Sequence, residues 1–474
     1  MLNRRRFTHL ALVLPTILSS PAVLAKRLKK TNSVIVIVIG GGAAGLAAAI
    51  SAKEHGAARV TVLEKACFLG GHTAFAGGSV NFVDPGRQKK MGINDSEELW
   101  QKQIIETGGG INDAELVRTL VSSATETGKW LEDMGVKWLP MVYEAWSGKF
   151  PRAHQIAGKR CGMEYIRCLA KRAKQLGVQI SLNAEVISLD CQKKGGCEVT
   201  YKKNGRPLPL MSDAVVLATG GFSANQNMRM LYDQRLDETV GTTLSAFNFT
   251  YDGSTGEGIQ MAQALGAAVQ DMEYMQLIPL NGGRLLDYSG GEIFVDSSGK
   301  RFIDEASEVR YIADAFLKLP DKTMWVITDS TTRKNSSFEQ KLMTGVVQEA
   351  DSVREMAKAM NVPASVLQAT LSEYNESILK ANAGAEKNIV KQPLLTPPFY
   401  FGKERFDLHF CCGGLAINSK GQVLRTDGQP VPRLYAAGEC TGGIHGKDRL
   451  GGDSLISCFV FGRISGASAA NTKI

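Results

Sequence analysis

The chain has no Cys-x-x-Cys pair, hence no Cys-x-x-Cys-His haem attachment and no cysteine run that suits an iron–sulfur cluster. It therefore carries neither haem nor cluster of its own. Nine cysteines (Cys67, Cys161, Cys168, Cys191, Cys197, Cys411, Cys412, Cys440 and Cys458) in 474 residues are not a disulfide framework, and the odd count leaves at least one free thiol. Adjacent side chains bridge only with strain, so Cys411 and Cys412 read as two small buried thiols. No stretch reaches the roughly 20 apolar residues of a membrane-spanning helix. After Lys30 there is no block of lysine and arginine interleaved with aromatics, which argues against nucleic-acid binding. Internal repeats and low-complexity tracts are absent as well.

What is present is an ordinary globular composition, 44% hydrophobic and 22% charged, in a length that suits two domains or one large domain with an insertion. Residues 1–25 read as an export signal: Asn3-Arg4-Arg5-Arg6-Phe7, the apolar run Leu10 to Leu18 broken by Pro15, and Val23-Leu24-Ala25 at a small-residue cleavage site. The paired arginines before Phe7 resemble a twin-arginine signal, a route that exports proteins already folded around a cofactor. A general secretory signal or a lone N-terminal anchor is the alternative. Removing the segment takes three arginines and no acid from a formal charge of +8, leaving +5. The mature protein is expected in the periplasm, mildly basic and without a stable membrane span.

Gly40-Gly41-Gly42-Ala43-Ala44-Gly45 follows the apolar run Ser33 to Ile39 and precedes the Ala-rich stretch Leu46 to Lys53. Glu64 stands 24 residues after Gly40, at the end of the apolar run Val60-Thr61-Val62-Leu63. Strand, glycine turn, helix, strand and acid in that order make a dinucleotide-binding βαβ unit. The glycines bring backbone N–H groups and a helix N-terminus against a pyrophosphate, and the carboxylate accepts hydrogen bonds from the adenosine ribose. Only one such fingerprint occurs.

Further along, Val215 to Phe222 reads as a buried strand ending in a glycine turn, where another strand of a central sheet would meet the cofactor. Residues 257–267 read as a helix leading to Asp271. From 271 to 392 the pattern changes to amphipathic helices and short strands, such as Glu292 to Val295 and Arg301 to Ile303 around an Asp296-Ser297-Ser298-Gly299 turn. Strands return after Pro397-Pro398, with Val431 to Glu439 as a late strand and turn, and Ser454 to Ser468 as a closing helix. The expected fold class is α/β: a Rossmann-like FAD-binding domain over 32–270 and 393–474, interrupted by an inserted α+β cap over 271–392.

From about residue 32 onward the chain resembles the flavoprotein family of soluble fumarate reductases. That family includes the flavin part of flavocytochrome c fumarate reductase, urocanate reductase and related enoate reductases, with the succinate dehydrogenase flavoprotein as a more distant relative. The resemblance rests on Gly40 to Gly45, Glu64-Lys65, Gly70-Gly71-His72-Thr73, Ala218 to Phe222, Gly299-Lys300-Arg301-Phe302, Gly413-Gly414, Ala437-Gly438-Glu439 and His445 to Gly452. It implies FAD held by Gly40, Gly42, Ala44, Gly45, Glu64, Lys65, Gly71, His72, Thr73, Gly78, Ser79, Glu257, Phe410, Glu439, Ser454 and Leu455. It also implies reduction of an activated C=C bond, with hydride from flavin N5 and a proton from Arg301. Arg449 and His409 would hold the substrate carboxylate, where positive charge also stabilises the developing enolate. Arginine has a pKa above about 12, so a proton relay must refill Arg301 at once.

Departures from the family are informative. Where a fumarate reductase has a histidine for the second carboxylate, the stretch Tyr274 to Pro279 places Ile278. The Thr-Glu pair and the relay arginine have no counterpart in Arg284-Leu285-Leu286-Asp287-Tyr288. One carboxylate-binding end is kept and the other has turned apolar, with Asp287 and Tyr288 beside it. Burying an unpaired charge there costs several kcal/mol, which favours a monocarboxylic enoate with an apolar, aromatic or cationic tail over fumarate. His72 falls where the succinate dehydrogenase flavoprotein bonds its flavin, so a covalent link is the alternative to non-covalent FAD.

Electrons must arrive from an external carrier, a periplasmic cytochrome c or a small flavoprotein. NADH is disfavoured by the compartment and by the single fingerprint. Two other classes stay open: a flavin-dependent dehydrogenase or oxidase of the ketosteroid or amino-acid type, and a non-catalytic exported flavin carrier.

Overall fold

The computed structural model describes residues 34–473 except 193–194, 245–251, 281, 287, 289, 336 and 384–391. The expected export signal and Asp287 lie outside the described residues. The apolar runs read in the sequence become adjacent parallel strands. Ile35–Ile39 pairs with Arg59–Leu63 on one side and Ala214–Leu217 on the other. Gln179–Ser181 and Pro430–Ala436 extend the sheet in parallel, and Gln422–Leu424 closes one edge as an antiparallel hairpin. The three central strands, Ile35–Ile39, Arg59–Leu63 and Ala214–Leu217, are buried on both faces over nearly their whole length, which is why they read as continuous apolar runs without alternation.

Helix Ala43–Glu54 is buried from Ala43 to Ala52, and the closing helix Asp453–Ala470 lies directly against it. Two glycines permit that approach. A Cβ on Gly462 would lie 2.5 Å from the Ala44 carbonyl oxygen, and one on Gly466 would lie 2.1 Å from that of Ala48. Two antiparallel sheets flank this core: Ser79–Asn81 with Trp138–Tyr143 and Ala153–Ile156, and the meander Glu185–Asp190, Cys197–Lys203 and Arg206–Ser212. A Cys191–Cys197 disulfide closes the first turn of the meander. The cysteine count excluded a framework, and this one bridge is a local staple between neighbouring strands.

The intervening segment builds its own four-stranded antiparallel sheet in the order Ile293–Val295, Met324–Thr328, Phe399–Glu404, Gln348–Ala350. Side-chain alternation divides its two faces between two cores. Ile293 and Val295 join Trp325, Ile327 and Leu367 in a separate apolar cluster, while Phe294 and Val326 face the main core. Phe399–Glu404 therefore belongs to this sheet, beyond the expected boundary at 392. A strand-like pattern does not say which sheet will accept it. The expected strand Arg301 to Ile303 reduces to a single bridge between Val295 and Arg301. Asp296 accepts from the backbone N–H of Ser298 and Lys300, turning the chain so that Arg301 reaches Glu305 four residues on.

The close helix crossing yields a direct test. Gly466→Leu is expected to destabilise the protein by about 3 kcal/mol or more. Gly77→Ala, whose Cβ meets nothing within 4 Å, should change stability by less than about 0.5 kcal/mol. Denaturant midpoints at constant slope would read both.

Candidate active site and cofactor cleft

A cleft opens at the C-terminal ends of the parallel strands, lined by the Gly40-Gly41-Gly42 turn, Glu64, Lys65, Gly71 to Thr73, Thr219, Ser254, Glu257 and Glu439. Gly40 has φ 105°, and a Cβ there would lie 2.2 Å from the Ala218 carbonyl oxygen. Gly45 takes the packing role, since its Cβ would lie 1.9 Å from the Gly40 oxygen. The turn thus aims the N-terminus of helix Ala43–Glu54 into the cleft, with Gly42 as an N-cap that offers no side-chain acceptor. Thr73 Oγ1 accepts from the Ala43 N–H at 3.2 Å. Glu64 is fixed by the Gly41 and Ala66 N–H groups at 2.7 and 2.8 Å.

Lys65 Nζ lies 2.8 Å from Glu257 Oε2. Burial pushes the Glu257 carboxyl up, but the bonds from Lys65 and Thr255 outweigh it and hold the group below its ordinary range. Gly42 and Ala44 also line the cleft. Gly45, Gly78, Ser79, Phe410, Ser454 and Leu455 stand outside its lining. Tyr165 OH donates to the Gly78 oxygen at 2.8 Å, and Ser79 Oγ contacts Tyr143 OH and Gln155, so both serve the neighbouring sheet. Phe410 packs instead beneath Arg449, 4.8 Å from its guanidinium, and edge-on to His445. Residues absent from the sequence reading also line the cleft: Ala184 to Val186, Met261 and Cys458. Cys458 was foreseeable one turn beyond Ser454, whereas the meander supplies Ala184 to Val186 through a long-range contact.

The expected substrate-side residues gather where strand Met275–Ile278 pairs with Asp407–Cys411. The register passes from Gln276↔Phe410 to Leu277↔Leu408, leaving His409 as the extra residue of a bulge. Such a bulge re-aims a side chain beside a site. His409 Nδ1 lies 3.3 Å from Thr243 Oγ1. Burial, with the charges of Arg449 and His72, lowers its pKa to about 3, so it is a neutral imidazole. Arg449 is 5% exposed, and its two terminal nitrogens donate to Gln276 Oε1 at 2.7 Å and the Leu450 oxygen at 3.0 Å. Its Nε has no partner among the described residues. A buried guanidinium held only by neutral acceptors retains its charge for an anion.

Arg301 stands apart from Arg449 but is linked to the same space. It donates to Glu305 at 2.6 Å and to Asp304 at 3.1 Å, over the Tyr374 ring. Burial raises the Glu305 carboxyl, partly offset by Arg301. Glu305 and Arg449 line one cavity of about 580 Å³ with Trp146, Tyr288, Val309 and Ile312. Ile278 is buried two residues from Gln276 on the same strand.

The FAD binding domain family matches residues 36–455. The chain belongs to this family, among the fumarate reductase flavoproteins. It is 32% identical over 442 residues to a probable fumarate reductase of Shewanella frigidimarina, covering 90% of this chain and 73% of that protein. A urocanate reductase of Eggerthella lenta is 31% identical, covering 90% of this chain and 73% of its own length. The acrylate reductase flavoprotein subunit of Shewanella woodyi is 29% identical, covering 88% and 87%. Among solved structures, an open conformation of a flavocytochrome c3 fumarate reductase superposes with TM-score 0.75 at 30% identity, covering 92% of this chain and 78% of that one. A 3-ketosteroid-Δ4-(5α)-dehydrogenase from Rhodococcus jostii superposes with TM-score 0.73 at 27% identity, covering 94% and 99%. The glycine turn, helix N-terminus and Glu64 fit the cofactor these matches indicate, and the protein is an FAD-dependent oxidoreductase.

Both ring nitrogens of His72 face carboxylates, Nε2 at 2.7 Å from Asp252 and Nδ1 at 3.9 Å from Glu439. Against burial, the Asp252 bond and the two carboxylate charges raise the proton affinity of the ring, and a protonated imidazole is a poor nucleophile toward the flavin. Acid-denatured protein is accordingly expected to release all its FAD, leaving a polypeptide whose mass matches the processed chain alone; a mass increased by one FAD would refute this.

Proposed function

We propose that the chain reduces the C=C bond of a monocarboxylic α,β-unsaturated acid with an apolar or aromatic tail. The observation that carries this reading is the asymmetry of the cavity beside Arg449. Arg449 offers one buried guanidinium to a carboxylate. Beyond it the lining is Trp146, Tyr288, Val309 and Ile312 with the acids Glu144, Glu305, Glu308 and Asp448. Lys149, the other cation of the lining, is paired with Glu308 at 3.1 Å. A second substrate carboxylate would meet like charge and apolar surface there, a mismatch worth several kcal/mol against a diacid.

Reduced FAD, when bound, supplies the hydride. Arg449 and the neutral His409 hold the substrate carboxylate and its developing enolate charge. Arg301 donates a proton to the other alkene carbon, and Glu305, bonded to two of its nitrogens and lining the cavity, takes a proton from solvent and relays it to the guanidine. Buried Glu305 is suited to that step because burial raises its proton affinity.

We place the enzyme in the periplasm, supported by the twin-arginine-like signal and by the Cys191–Cys197 disulfide, a bond that persists in oxidising compartments. A periplasmic cytochrome c is the proposed electron donor. The likeness to the ketosteroid dehydrogenase favours a second reading, oxidation of a C–C bond with the same proton geometry run in reverse.

The deciding experiment is oxidation of reduced methyl viologen by the purified mature protein with fumarate, acrylate, methacrylate, urocanate and cinnamate derivatives. Turnover on a monocarboxylate and little on fumarate is expected, falling on the order of 10²–10⁴-fold in Arg301→Ala. Fumarate as the best substrate would overturn the pocket argument, and activity only with a dye acceptor would favour the oxidising reading.

A further inference from the structure

Among the described residues lining the cofactor cleft, His72 is the only histidine. It sits on the short turn Gly71–Phe75, with Nε2 2.7 Å from Asp252 Oδ1 and 3.2 Å from Ser254 Oγ, and Nδ1 3.9 Å from Glu439 Oε2. Both carboxylates are themselves fixed. Asp252 accepts from the Ser254 N–H at 3.0 Å and Thr242 Oγ1 at 3.2 Å, and Glu439 accepts from the Cys411 N–H at 3.0 Å.

Glu439 lies between His72 and the Cys411 N–H, which sets His72 beside strand Asp407–Cys411 on the substrate side. The charge of His72, with that of Arg449, is felt at His409 on the substrate side. Among the described residues, the titratable groups around the His72 ring are Asp252 and Glu439 next to it, the neutral His409 and the charged Arg449 on the substrate side, and Arg229 behind Asp252. Burial alone would lower the imidazole's proton affinity, but the Asp252 bond and the two carboxylate charges outweigh it and raise it.

We propose that His72 is the redox-linked proton site of the cleft: an imidazolium, fixed between Asp252 and Glu439, whose charge offsets the negative charge that bound FAD gains on reduction. Two electrons from an external donor and one proton, taken up by FAD, leave one added negative charge beside the ring. A cation in the same cleft favours that reduced state. By linkage the added charge raises the affinity of His72 for its proton by the same free energy. Where His72 is protonated in both redox states the potential is raised fully. Between its oxidised-state and reduced-state pKa values reduction takes up a further proton and the potential falls more steeply with pH. Above both, the benefit is gone.

The test is a spectroelectrochemical titration of the FAD-loaded protein with soluble mediators, from roughly pH 5 to 9, on wild type, His72→Asn and Asp252→Asn. No enoate is present, so the outcome stands apart from the substrate reading. The expected result is a His72→Asn potential below wild type at the acid end that converges with it at the alkaline end. In Asp252→Asn the steep region should move to lower pH, because the partner that holds the proton is lost. Wild-type and His72→Asn potentials that coincide at every pH would overturn the proposal. So would a steep region left in place by Asp252→Asn, which remains the deciding comparison if His72→Asn fails to retain FAD.

Discussion

Backbone packed directly on backbone is the constraint from which the cofactor cleft follows. Gly40 presses against the Ala218 carbonyl, Gly45 against the Gly40 carbonyl, and Gly462 and Gly466 against the Ala44 and Ala48 carbonyls. Each contact lies where any side chain would collide. Together they fix helix Ala43–Glu54 in depth and direction between the sheet and the closing helix. The helix N-terminus is thereby set at the strand ends, where backbone N–H groups serve an anion without a charged side chain. Thr73 and Glu64 bind the same turn from the side. The cleft is thus a by-product of how tightly four glycines let two helices and a sheet approach.

The two arginines illustrate different treatments of a buried or half-buried charge. Arg301 is neutralised by carboxylates, which keeps it in place and supplies a group that exchanges protons with it. Arg449 is held by an amide oxygen and a backbone carbonyl, with Asp448 turned toward Gln276 and the Arg449 N–H. Burial lowers its proton affinity, while Asp453, Asp448 and Glu439 act on its charge through space. A site built this way binds an anion more strongly than an exposed arginine would, because the cost of removing water has been met during folding.

Local pattern made much of this legible. Periodicity and the glycine fingerprint located the central sheet, both helices that cross on it, and the carboxylate of Glu64. Arg301, Arg449 and His409 drew attention through motif resemblance. What the sequence could not reveal lies in long-range pairing. Phe399–Glu404 reads like any strand, and only its partners assign it to the inserted sheet. Phe410 looked like a cofactor contact, but the bulge at His409 turns it under Arg449. Gln276 lies unremarked within the stretch Tyr274 to Pro279, although it is the residue that orients Arg449. Asp252 carries no local signal, and its importance arises from a contact with His72 across 180 residues.

The inserted sheet is joined to the cofactor domain by two chain crossings, and these crossings are paired with each other: Met275–Ile278 lies against Asp407–Cys411. They form a two-ply strap. One ply carries Gln276, which orients Arg449, and the other carries His409. The ribbon that anchors the insert is therefore the same one that holds the proposed carboxylate-binding groups in register with each other.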